Sequence, residues 1–304
     1  MECQMMGNAD TDNRPEWDGI DIAALLRVER IDAAISIGRI TDDNRNGRVF
    51  GGQLIGQSLA AACASVEPGR TPTALRVLFM QGALIGTAIE YRVFFLQNGK
   101  RYSSCRVEAR QGTRLLIDVH VSFQVPAEGP SHALPPYQDI PQPDEVLSMA
   151  QIPDQLSRPS TGGRWGEFEK TCLEMKVVHP EQHLAARSEL PCMSYWMRLR
   201  KRLPDDHGMH YAALAFLSDY WINSAAITHH VAAQDAHEHM YVASLNHALW
   251  FHQLPRADEW LLFSCESPGA QQGRALTHAR VYDQNLTLLA SVSQECLMAD
   301  RASI

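Results

Sequence analysis

Apolar and polar positions alternate along most of this chain with the two-residue period of β-strands, and two stretches follow a helical period instead. Residues 1–17 are polar without a repeating apolar spacing and read as disordered. Ile20–Val28 fits a short amphipathic helix and Ile31–Arg39 a first strand. Gly47 to Gly52 then break the pattern and open a helix over GGQLIGQSLAAACASV (51–66). There Leu54, Ile55, Leu59 and Ala62 fall near helical spacing, and the Gly, Ala and Ser positions let another backbone approach closely. Strands near 73–80, 88–96, 102–111 and 114–125 follow, with polar turns at Gln97-Asn98-Gly99-Lys100 and Gln111-Gly112-Thr113. That pattern predicts an antiparallel meander.

The same order recurs later in the chain. Strands are predicted near Glu169–Val178 and Met193–Leu199. A second helix-like segment lies in LAFLSDYWINSAAITHH (214–230), with its helix placed from about Asp219. Further strands are predicted near 239–252, 259–267, 275–283 and 286–298. A shift of 174 positions sets Gly99 on Gly273, Arg106 on Arg280, Val107 on Val281, Thr113 on Thr287 and Leu115 on Leu289. A repeated helix-plus-meander argues a duplicated α+β module. Between the copies, Pro126 to about Gly163 is Pro-rich and poorly periodic, a linker with one helical turn near Glu145–Gln151. The expected division is residues 18–126, a linker over 127–163, and residues 164–300.

Composition narrows the class. The chain has 304 residues, 45% hydrophobic and 20% charged, enough for two packed modules, and its net charge of -8 provides no field to attract a nucleic acid. Seven scattered cysteines without a close-spaced pair read as reduced thiols rather than disulfides or metal ligands. With no apolar signal core at the N-terminus and no run of about 18 apolar residues, a cytoplasmic protein that does not insert into membranes is expected.

Particular segments then carry a resemblance. Arg48-Val49-Phe50-Gly51-Gly52-Gln53, Gly56-Gln57 and Leu59 in the first half, and Leu217-Ser218-Asp219, Ala243 to His252 (ASLNHALWFH), Glu259-Trp260-Leu261-Leu262 and Ser293-Gln294-Glu295 in the second, resemble the acyl-CoA thioesterase II (TesB-type) family across nearly the whole chain. The resemblance implies a double hotdog: each half a sheet wrapped around a central helix, the halves packed as a pseudo-dimer. It implies hydrolysis of fatty acyl-CoA to free acid and CoA, no metal or cofactor, and assembly into a homodimer or higher homo-oligomer. It also implies a catalytic water held by Asp219, Ser244 and Gln294. Gly51, Gly52, His247, Arg101 and Arg274 are the candidate substrate contacts, the two arginines for the CoA phosphates. Arg198, Arg200, Lys201 and Arg202 form a denser basic run.

A thioester carbonyl is already electrophilic, so hydrolysis needs an oriented water, a base and donors for the developing oxyanion. Asp219 at a helix N-terminus is the candidate base, with the neighbouring N–H groups favouring negative charge. Gln294 would offer its carbonyl to the water and Ser244 its hydroxyl. As an ordinary feature, Asp219 would be a helix N-cap. The sequence departs from the family at Leu75 to Ala83, which lacks an Arg-Pro-Gly, at Gln97-Asn98-Gly99 in place of Arg-Asp-Gly, and at Asn246-His247-Ala248 in place of Asp-His-Ser. These departures leave a second reading open, a double hotdog that binds or rearranges an acyl-derived molecule without hydrolysis. Gly56-Gln57-Ser58-Leu59-Ala60 imitates a serine-hydrolase elbow, but the strand that must precede the Ser is missing, so Ser58 reads as a helix-packing residue.

Overall fold

The computed structural model describes residues 17–303, apart from 43, 45, 46, 138, 154, 155 and 157–168. Of the residues expected to be disordered, 1–16 fall outside this set, as do Cys3 and the expected 163/164 boundary; Trp17 is described, and its Nε1 donates to the Asp21 carbonyl at 2.9 Å.

Among the described residues, twelve strands form one antiparallel sheet. The first half contributes β1 (Glu29–Arg30), β2 (Ile35–Gly38), β3 (Thr71–Phe79), β4 (Ile89–Asn98), β5 (Tyr102–Gln111) and β6 (Arg114–Gln124). The second contributes β7 (Leu173–Val177), β8 (Cys192–Leu199), β9 (Met240–Phe251), β10 (Leu261–Gln271), β11 (Arg274–Tyr282) and β12 (Leu288–Asp300). The expected strands are all present, and Ile31–Arg39 shrinks to β2. The order across the sheet, β1-β2-β4-β5-β6-β3-β9-β12-β11-β10-β8-β7, reads as one half followed by its mirror order. The halves join edge to edge where β3 pairs with β9, so neither central strand presents an open edge.

Among the described residues six α-helices accompany the sheet: α1 (Ile22–Leu26), α2 (Gly51–Cys63), α3 (Pro180–His183), α4 (His207–Ser218), α5 (Ser224–His230) and α6 (Ala236–His239). Helices α2 and α4 are the central ones, and their small residues set the packing. A Cβ added at Gly52 would lie 2.4 Å from the Phe216 carbonyl oxygen, and one at Gly56 would lie 2.9 Å from that of Ala212. The two helices therefore pack antiparallel at a separation that larger side chains would prevent. The N-terminus of α2 consequently meets the C-terminus of α4. Ser58 lies fully buried in the middle of α2, with no strand before it, so the elbow reading fails.

The register between the halves is a shift of 172 positions, set by the β-bulge that each central strand carries, at Thr73 in β3 and at Leu245 in β9. The sequence comparison set β5 on β11 two residues away from this. The β4–β5 turn holds three residues and the β10–β11 turn two, so Gly99 and Gly273 are not equivalent. An error of two preserves the sheet face, which is why the apolar matches survived it.

The Pro-rich segment is a strap over the outer face of the second half. Trp196 Nε1 donates to the Pro141 carbonyl, Tyr282 Oη to that of Leu134, Arg280 Nη1 to that of Pro135 and Lys176 Nζ to that of Pro143, at 2.7–2.9 Å. Beneath it Val146, Val178, Trp196, Trp260, Leu262 and Tyr282 form a small second core. Its helical turns lie at Pro143–Glu145 and Met149–Gln151. Among the described residues no helix is long and apolar enough to cross a membrane.

Candidate active site

Helix α4 ends at Ser218, and Asp219 is its C-cap rather than the N-terminal residue of a helix. The apolar run 214–230 is two helices. They are broken over 219–223, where Trp221 takes a left-handed φ of 62°, and apolar spacing alone does not register the break. A helix N-terminus does face Asp219, but it is that of α2 from the first half. The Gly52 backbone N–H donates to the Asp219 carboxylate. A Cβ on Gly51 would lie 2.5 Å from Asp219 Oδ2 and 3.0 Å from the Phe79 ring, so only glycine lets this helix end close on the carboxylate.

Ser244 reaches the same point through a β-bulge. Gln294 of β12 lies opposite His247 of β9, yet Cys296 lies opposite Ser244 rather than Leu245. Simple alternation from His247 would face Leu245 and Ala243 inward; the extra residue turns Ser244 to the inner face beside Gln294 instead. Ser244 Oγ then donates to Asp219 Oδ1 at 3.2 Å. Gln294 Nε2 donates to Ser244 Oγ at 2.9 Å, and its amide also bonds the Asp219 carboxylate. Gln294 thus presents its nitrogen to the centre, the reverse of the expectation that its carbonyl faces the water. The carbonyl is occupied behind, by Nδ1 of His247.

Burial governs the charges. Asp219 is 8% exposed, and removal from water pushes its carboxyl up to about 7, against the lowering effect of the bonds from Gln294, Ser244 and Gly52. His247, 1% exposed, is pushed down to about 4 by burial and is neutral at pH 7. A carboxylate balanced near neutrality beside two polar groups that hold no charge suits proton abstraction from a water.

The other expected residues divide. Gly51 and Gly52 lie at the centre, from the half that carries no other member of it. His247, expected to touch substrate, is instead enclosed behind Gln294. Arg101 sits by the start of β3 while Asp219 lies near Phe79 at its end, on the order of 25 Å along the strand. Arg274 pairs with Glu295 Oε1 at 2.8 Å, and Glu295, adjacent to Gln294, points to the opposite sheet face. The basic run is neutralised: Arg198 pairs with Glu174, Arg200 with Glu169, Lys201 with Asp21 and Arg202 with Glu259. Sequence reasoning assigned nothing to Ser218, whose Oγ lies 2.9 Å from His247 Nε2, although Leu217-Ser218-Asp219 had been singled out as a motif.

The first half has no counterpart of this centre. The 172-residue register sets Pro72 against Ser244 and Leu75 against His247. Val121, paired with Leu75, stands where Gln294 stands, and the C-cap of α2 is Ala64 where that of α4 is Asp219. Even the bulge recurs, at Thr73. Among the described residues the copy keeps the backbone and lacks each of these polar groups at the equivalent positions.

Comparison with known proteins gives two family matches, "Acyl-CoA thioesterase N-terminal domain" over residues 40–124 and "Acyl-CoA thioesterase C-terminal domain" over residues 143–298. The human protein acyl-coenzyme A thioesterase 8 is 30% identical, over 82% of this chain and 79% of its own length. Among solved structures, the acyl-CoA thioesterase II TesB2 of Mycobacterium marinum is 29% identical, with a TM-score of 0.76 over 93% of this chain and all of that one. A protein with a hot dog fold from Alicyclobacillus acidocaldarius, 18% identical with a TM-score of 0.72 over 91% of this chain and 97% of that one, shares the fold.

Proposed function

We propose, since this chain belongs to the acyl-CoA thioesterase family, that it hydrolyses an acyl-CoA to a free carboxylic acid and CoA through one water held by Asp219, Ser244 and Gln294. Membership makes it a thioester hydrolase, and the reading without hydrolysis falls away. The observation that carries the residue assignment is the convergence of three side chains from the end of α4, the β9 bulge and β12 on one buried carboxylate.

In this reading Asp219 takes a proton from the water as its oxygen attacks the thioester carbon. Ser244 and the Gln294 amide orient water and base, and the N-terminus of α2 stabilises negative charge on the carbonyl oxygen. The tetrahedral intermediate collapses with loss of the CoA thiolate, which regains the proton from Asp219. No metal or cofactor is required. A cytoplasmic location and a homo-oligomeric state belong to the same reading. The six described cysteines are free, and the first-half sheet exposes Leu78 and Phe94 on the face that the strap leaves uncovered.

The test is thiol release against a panel of acyl-CoAs differing in chain length and oxidation, with two substitutions beside the wild type. Ser244→Ala should lower kcat roughly tenfold or more, as expected for loss of an orienting group, and Ser244→Thr should keep activity because it retains the hydroxyl. Equal activity in all three would remove Ser244 from the mechanism, and no thiol release from any acyl-CoA would remove the substrate assignment.

A further inference from the structure

Behind Gln294, on the side away from Asp219, lies a buried polar group that the water-holding residues do not account for. His247 Nδ1 meets Gln294 Oε1, and His247 Nε2 lies 2.9 Å from Ser218 Oγ, itself 2.8 Å from the Ala215 carbonyl in the last turn of α4. Ser218 and Asp219 are neighbours in the chain. The contacts therefore close a loop: Asp219 to Ser244, Ser244 to Gln294, Gln294 to His247, His247 to Ser218, and Ser218 back to Asp219 through the backbone.

We propose that His247 is a positioning residue for the hydrolysis, donating Nδ1–H to Gln294 Oε1 and taking at Nε2 the single Ser218 hydroxyl proton, which then no longer goes to the Ala215 carbonyl, and so fixing which end of the Gln294 amide faces Asp219. The inference rests on the assignment of Asp219, Ser244 and Gln294 made above. A glutamine amide has two orientations of nearly the same shape and opposite hydrogen-bonding sense. While Asp219 is ionised, it enforces the amide-nitrogen end itself, because a carbonyl turned toward a carboxylate would leave both without a donor. Once Asp219 has taken the proton of the water, that preference is lost: a carboxylic acid can donate to a carbonyl. An amide free to turn at that moment would present the wrong end when the next water enters. A donor fixed on the far side removes this freedom in both protonation states.

Packing alone does not call for a histidine here. The equivalent position in the first half is Leu75, fully buried against the same sheet and paired with Val121 where His247 is paired with Gln294. The fold is satisfied by an apolar pair at these two positions. The polar pair occurs only in the half that holds the carboxylate, which ties His247 to the chemistry rather than to the core.

The experiment measures acyl-CoA hydrolysis by His247→Leu, His247→Asn and His247→Gln beside Asp219→Asn, with a thermal unfolding midpoint for each. His247→Leu is expected to lower kcat by roughly 10- to 100-fold and to leave KM within about twofold, the pattern of lost transition-state positioning. His247→Asn, whose amide nitrogen falls where Nδ1 stood, should recover to within about fivefold of wild type, whereas His247→Gln, whose amide falls where Nε2 stood, should not. Wild-type kcat in the leucine variant, or equal activity in the asparagine and glutamine variants, would overturn the proposal while Asp219→Asn remains inactive. Full activity of Asp219→Asn would instead overturn the assignment beneath it. Should the leucine variant fail to fold, the ¹⁵N spectrum of the wild-type ring decides: the proposal requires a neutral ring protonated at Nδ1, and one protonated at Nε2 alone, or at both nitrogens at pH 7, contradicts it.

Discussion

Asp219→Asn is expected to lower kcat by about 10²-fold or more and to change KM little, the size and pattern of losing a general base. The asparagine keeps the shape of the side chain and a carbonyl oxygen that can accept from Ser244, so binding should survive while proton abstraction does not. Stability gives an internal control. The folded-state pKa of Asp219 is raised from 3.8 to about 7, so the native protein binds the proton more tightly than the unfolded chain. The stability this contributes is fully present below about pH 4 and is lost as pH rises through about 7. A neutral asparagine does not incur that loss. At pH 8 the variant should unfold at the same temperature as wild type or higher, separating a lost base from a lost fold. An active, normally folded Asp219→Asn would exclude the carboxylate from the mechanism.

The same perturbation predicts a steep pH profile. If the ionised carboxylate is the base, kcat/KM should be level above about pH 7 and fall about tenfold per pH unit below it, a loss of about 10²-fold by pH 5. His247 adds no limb in this range, since burial keeps it neutral down to about pH 4. Ser244 donates to Asp219 and thereby lowers its pKa, so Ser244→Ala should move the limb to higher pH as well as reducing the plateau. A rate limb near pH 4 would mean that the reacting carboxylate is solvated, and would point to a group other than Asp219.

Much of this could be read from the residues, for identifiable reasons. The strands followed from alternation because one face of the sheet is buried along nearly its whole width, and the meander turns carry glycines at Gly112 and Gly273 with positive φ. The small-residue helix foretold a close backbone, and α4 is that backbone. The three converging side chains were reached through family motifs, since nothing in periodicity distinguishes Ser244. Alternation alone faces it away from Gln294, and only a bulge that leaves no mark in the residue pattern brings it round. The polarity of the helix at Asp219 was read in reverse because the apolar spacing of α4 continues into α5 across the break at Trp221. The sequence does not assign the arginines, because a basic residue in a turn has the same appearance whether it meets a phosphate or, as Arg274 does, a neighbouring glutamate. His247 stood within a quoted motif, but its partner Gln294 is 47 positions away, a separation that only the β9–β12 pairing brings into contact.

The central claim is that Asp219 activates water rather than attacking the acyl group itself. Single-turnover hydrolysis in H₂¹⁸O, with enzyme in excess over acyl-CoA, tests it most directly by locating the label after the first turnover. The account predicts one ¹⁸O in the released acid and none in the peptide that contains Asp219; unlabelled acid with ¹⁸O in the Asp219 carboxylate would contradict it.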